Sequence, residues 1–159
     1  MNSIEQILSF LDDSMYHEDE SVSSALDGVT NQESEWQHPA YSIEEHWPGM
    51  PAPGTIAWHV AHLLHSARHY ATIIKKRPVQ TEPKTPPPNV DDFTELISEL
   101  HDAHEELKQV ISRIPISDLS EDCTRGMSLI EFIRMVIRHN SWHAGQIRVI
   151  KRLVRQKNR

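Results

Sequence analysis

Apolar residues in this chain recur at helical spacing over four long stretches, and nowhere do they alternate long enough to build a sheet. The first stretch takes Ile4, Leu8, Leu11 and Met15 behind the capping box Ser3-Ile4-Glu5-Gln6, and continues through Val22, Ala25, Leu26 and Val29, which predicts one helix ending near Gly28. The second takes Ile56, Val60, Leu63, Leu64, Ala67 and Ile74, and predicts a helix over 55–77, with Lys75-Lys76-Arg77 in its last turn and Pro78 as its breaker. The third runs from Phe93 through Leu96, Ile97, Leu100, Leu107, Val110 and Ile111 to Ile114; Asn89-Val90-Asp91-Asp92 leads in and Pro115 stops it. The fourth opens with Ser128-Leu129-Ile130-Glu131 and carries Ile133, Val136, Ile137, Ala144, Ile147, Ile150 and Val154. Such a pattern specifies an all-α fold, a four-helix bundle, because each stripe must bury its apolar face against the others.

The connections constrain how the helices are wired. Between the second and third lies VQTEPKTPPPNV, whose prolines favour an extended chain rising about 3.1 Å per residue, enough to run back along a helix of some twenty residues. The two flanking helices are then expected to be parallel. Residues 28–52 form a second long connection containing Trp36, Tyr41, Trp47 and Pro48, which suits either a functional lid or packing over one end of the bundle. The 159 residues fit one domain, 1–159, better than two.

Composition excludes several classes. No apolar run approaches the length needed to cross a bilayer, so no membrane partner is expected. The lone Cys123 cannot close an intramolecular disulfide, and MNSIEQILSF lacks the basic segment and apolar run of a secretory signal, so a reducing, cytoplasmic compartment is expected. A net charge of −7 argues against nucleic acid as a partner. The charge is nevertheless polarised: Arg148, Lys151, Arg152, Arg155, Lys157 and Arg159 crowd the final segment, where they suit a helix C-terminus and can complement the acidic N-terminal part.

The chain holds 11 histidines, and their placement carries the chemistry. In His139-Asn140-Ser141-Trp142-His143 a separation of four places two imidazoles roughly 40° apart on one helical face, within reach of one ion. Both lie in or beside the apolar stripe, where a shared divalent metal would offset their desolvation. The second helix adds His59, His62, His65 and His69; on a helical wheel His59 lies nearest the apolar stripe, His62 at its flank and His65 largely outside. Three imidazoles from two helices would leave coordination positions open, as catalysis requires.

The segments TIAWHVAHLLHSARHY, IRHNSWHAGQIRVI and SSALDGVTNQESEWQHP resemble motifs of the DinB/YfiT-like superfamily of four-helix-bundle metalloenzymes, over most of the chain. The resemblance implies an up-down-down-up bundle with long crossover connections, in agreement with the linker. It also implies a tri-histidine metal site at His62, His139 and His143, overriding the wheel's preference for His59. Where family members often carry an acidic residue three positions after the helix-two ligand, this chain has His65, a candidate for a catalytic role behind the metal.

The expected function is accordingly a metal-dependent enzyme. Zn or Ni is the expected cofactor, the substrate a small molecule that includes a low-molecular-weight thiol, and the reaction S-transfer or hydrolysis. The alternative is a non-catalytic helical bundle for binding or stress response, with a structural metal or none. His104 lies on the third stripe and is expected to be a hydrogen-bonded core histidine, while His17, His38, His46 and His101 carry no comparable signal. Cys123 is expected in a polar loop without nucleophilic activation. Trp142, on the outer side of its helix, is a candidate contact for a homodimer.

Overall fold

The computed structural model describes residues 3–40, 48–90 and 92–157. Tyr41, His46, Trp47, Asp91 and Arg159 lie outside them. Among the described residues the chain forms six α-helices: α1 (Ile4–Tyr16), α2 (Val22–Leu26), α3 (Asn31–Ser34), α4 (Ile56–Lys76), α5 (Phe93–Ser112) and α6 (Leu129–Lys157). A 3₁₀ turn (Ile116–Ser120) and a small antiparallel ribbon of β1 (Asp122–Thr124) and β2 (Met127–Ser128) lie between α5 and α6. The four long helices form the bundle, and their stripes meet in one core around Leu11, Met15, Ile56, Leu64, Leu100, Leu107 and Phe132.

Side-chain pairs give the helix directions. Arg68 pairs with Glu99 and Lys75 with Glu106, so residue numbers rise together and α4 runs parallel to α5. On α4 and α6 they rise and fall: His59 meets His143, His62 meets His139 and Tyr70 packs on Phe132. On α1 and α6 they again rise together, since Asn140 donates to Ser14 and Arg148 reaches the carbonyls of Asp19 and Ser21. The order is up-down-down-up, with α2 and α3 added. The proline linker returns along α4 as its length requires: Val79 N–H donates to the Cys123 carbonyl, Thr85 meets His69 and His65, and Val90 packs against the core.

Three details depart from the sequence expectation. The first helix does not continue to Gly28. It stops at Tyr16, because His17–Glu20 are all polar and exposed and Ser21 starts afresh as the N-cap of α2, its hydroxyl accepting the Ser24 N–H. Residues 28–52 contain α3, capped by a Thr30–Glu33 box. Cys123 is fully buried in β1 rather than in a polar loop, and burial pushes its thiol pKa up, away from nucleophilic use.

The basic end of α6 does what its charge suggests, mainly through backbone groups. Lys151 donates to the carbonyls of Ala25 and Asp27, and Arg155 to that of Gly28 and to Glu33, so cations meet the negative end of α2. Their partners are the N-terminal segment of the same chain.

Burial and surface pairing should separate in measurement. Leu64→Ala, at a fully buried site in the core, is expected to cost about 2–5 kcal/mol. Removing the partly exposed Arg68–Glu99 pair by Arg68→Ala should cost under about 1 kcal/mol. Urea unfolding of both variants checks this, and equal losses would contradict it.

Candidate metal centre

The histidine cluster sits in the seam between α4 and α6. Thr55 caps α4, its hydroxyl accepting the Trp58 N–H at 3.0 Å, and Glu131 secures the start of α6 by accepting from the N–H and hydroxyl of Ser128. From these starts the antiparallel register brings an i, i+3 pair on α4, His59 and His62, opposite an i, i+4 pair on α6, His139 and His143. Apolar neighbours on both helices, including Val60, Leu63, Val136 and Ala144, are buried; among the four rings His59 and His143 are buried with them, while His62 and His139 are half-buried.

Three Nε2 atoms converge. His139 Nε2 lies 3.2 Å from His62 Nε2 and 3.1 Å from His143 Nε2. All three residues offer ligand nitrogens within 4.8 Å of one another. Hydrogen bonds alone fit this poorly, because the single Nε2 of His139 either donates once or accepts once and cannot serve both neighbours. Nitrogens each about 2.0–2.1 Å from one zinc at tetrahedral angles are separated by about 3.3 Å, close to what is found. The donor set, three neutral imidazoles, suits Zn, Ni, Cu or Fe rather than Mg or Ca.

His59 plays a different part from the one the wheel suggested. It is buried, as expected, but its Nδ1 lies 2.7 Å from His143 Nδ1, behind the converging nitrogens rather than among them. If His143 offers its Nε2 lone pair to an ion, its proton is on Nδ1, and His59 Nδ1 accepts it. His59 therefore orients a ring that helps form the cluster. Trp58 stacks on His62 at 5.0 Å with rings 13° from parallel, and Trp142 lies edge-on to His143 at 4.7 Å, so indoles restrain two of the three rings.

All four imidazoles are held neutral. Burial first, then the neighbouring His62, lowers His59 to about 4. Burial, then His139 and His65, lowers His62 to about 4. Burial, then His139, His59 and His62, lowers His143 to about 2, and burial lowers His139. A neutral imidazole is the metal-binding form.

His62 also borders a cavity of about 320 Å³ shared with His65, His69, Tyr70, Glu82 and Arg125. His65 Nε2 is 3.0 Å from the Thr85 carbonyl, so it carries its proton there and keeps Nδ1 as its basic nitrogen; its ring stacks on that of His69. Thr85, on the proline linker, also meets His69 Nδ1 at 2.9 Å, a contact no helical period could reveal. A larger hollow of about 530 Å³ between α1 and α6 is bordered by Phe10, Arg134 and Arg138 and by none of the clustered rings.

The remaining described histidines make local or core contacts. His104 is buried, 3.5 Å from Asp12 and edge-on to Tyr16. Asp12, His104 and Glu105 also form a possible ligand group, but the Lys108 ammonium already sits 2.8 Å from Asp12 and 3.3 Å from Glu105. His101 meets Ser23, while His17 and His38 accept local backbone N–H groups. Trp142 is exposed, on the outer side of α6.

The family model of the DinB superfamily matches residues 16–147, which include α4, α5 and the histidine pair of α6. No curated protein and no solved structure matches the chain. No described helix is long and apolar enough to cross a membrane.

The depressed pKa values imply a pH dependence of the metal-free fold. Unfolded histidines take up protons below about 6.5, whereas His59 and His62 resist to about 4. The unfolded state binds more protons in between, so stability is fully present above the upper limit and falls as pH drops through the window. Urea midpoints of chelator-treated protein should fall from pH 7.5 to pH 5, above the ordinary carboxylate range; a flat profile would refute buried neutral histidines.

Proposed function

The chain belongs to the DinB superfamily, and we propose that it is a metal-dependent enzyme whose ion is held by Nε2 of His62, His139 and His143. The observation that carries this reading is the convergence of three ring nitrogens from two helices, with no fourth donor in the group among the described residues. A structural site would close with four protein ligands, whereas three leave room for substrate.

The proposed substrate is a small molecule with a low-molecular-weight thiol as co-substrate, and the proposed ion is zinc or nickel. Held by His62, His139 and His143, such an ion would supply Lewis acidity, which would serve S-transfer or hydrolysis. The chain's own groups do the rest. His59 holds His143 in one tautomer. The cavity beside His62 admits substrate, and His65 stands on its wall as a positioned imidazole, its Nε2–H held by the Thr85 carbonyl. Arg125 and Glu82, ion-paired on the same cavity, supply polar contacts to an incoming molecule.

The ligand assignment is tested by metal content. His62→Ala, His139→Ala and His143→Ala should each lose stoichiometric zinc, while His59→Ala should keep stoichiometry with affinity reduced about 10–100-fold. Loss of zinc in His59→Ala with retention in His62→Ala would overturn the assignment. In wild-type protein loaded with Co²⁺, the visible spectrum should change on adding a small thiol; a spectrum indifferent to every added ligand would defeat the catalytic reading.

A further inference from the structure

A third cavity, of about 550 Å³, lies where α6 passes Trp58 and the residues around Trp36, and its size falls within the range of small-molecule sites. Its walls are Trp36, Trp58 and Trp142 with Val149, Ile150 and Leu153. Trp142, Val149 and Leu153 are 57%, 54% and 37% exposed and follow one line along α6, so core packing does not account for them. Asp, Glu, Lys and Arg are absent from its described lining. The one buried polar side chain there is His59, with Trp58 edge-on at 5.1 Å and Trp142 at 6.1 Å.

His59 is also the residue bonded to His143. If His143 Nδ1 donates to His59 Nδ1, the remaining proton of His59 is on Nε2, which makes no hydrogen bond among the described residues. A ligand here thus meets three indoles, no acidic side chain and no Lys or Arg, and one N–H donor from a buried side chain, while the less buried His38 and Gln146 add polar groups toward the rim. Indole walls favour a flat ring over an alkyl chain, a lining without Asp, Glu, Lys or Arg disfavours an ion, and the N–H of a largely buried ring at the cavity wall favours an acceptor. We infer that this cavity is a binding site for an uncharged aromatic molecule bearing a hydrogen-bond acceptor, received by His59 Nε2–H. The preference for an acceptor rests on the metal reading, which fixes the His59 tautomer.

The test titrates the zinc-loaded full chain with acetophenone, with ethylbenzene, which lacks the acceptor, and with benzoate, which is charged, following the indole N–H resonances of Trp36, Trp58 and Trp142. Acetophenone should shift all three saturably and bind at least about tenfold more tightly than ethylbenzene, one buried hydrogen bond's worth. His59→Phe should bring acetophenone down to the ethylbenzene level, and Trp142→Ala, at an exposed position, should weaken both. The absence of saturable shifts, equal affinity for the first two, or tightest binding of benzoate would overturn the proposal. So would indole shifts that depend on protein concentration alone and accompany a dimer in sedimentation, which would give the face to a second copy. Zinc content of the same sample reads the metal assignment separately: a chain that takes up no zinc refutes that assignment and the acceptor preference with it, while saturable indole shifts with acetophenone and ethylbenzene, or their absence, still decide whether the cavity takes an uncharged aromatic ring.

Discussion

Four imidazoles drawn together in the seam between α4 and α6, two of them buried and two half-buried, set the terms for this protein. A buried polar ring must find a partner or cost stability, and here the rings are chiefly one another's partners. The arrangement tolerates little error. A shift of one residue in the α4–α6 register would turn His59 and His62 away from His143 and His139 and leave each facing aliphatic neighbours. The caps at Thr55 and Ser128 matter to the site for that reason, since each fixes where its helix begins.

The rest of the bundle holds that register from outside. α5 lies parallel to α4, tied by Arg68–Glu99 and Lys75–Glu106, while α1 lies parallel to α6 and meets it through the buried Ser14–Asn140 bond. The exposed ion pairs contribute little energy and mainly record the alignment. The cations of α6 act differently. By reaching carbonyls of residues 19–28 they secure two short helical segments that could not persist alone.

The long helices were legible because their stripes are long and their ends are marked by Ser3, Pro78, Asp92, Pro115 and Ser128. The break after Tyr16 was not, since apolar residues resume at Val22 in near-helical phase and only the Ser21 cap betrays the interruption. The ribbon around Cys123 escaped because strands of two and three residues are too short to show alternation. At the site, the α6 pair could be read from its own spacing. Choosing between His59 and His62 could not be done on one helix, because both approach the seam and only the opposing helix decides which ring faces the cluster and which stands behind it. The linker's Thr85 contacts depend on where an extended chain crosses α4, which no local pattern encodes.

That crossing divides the labour of the molecule between rigid and variable parts. The nitrogens that converge are fixed by two long helices, whereas one wall of the adjoining cavity is an extended strap with Pro83 and Thr85 in it. An extended strap without internal hydrogen bonds can exchange residues without disturbing any helical ladder. Residues of the strap can therefore change while the three converging imidazoles stay as they are, so the shape of the adjoining cavity is free to vary independently of the cluster it borders.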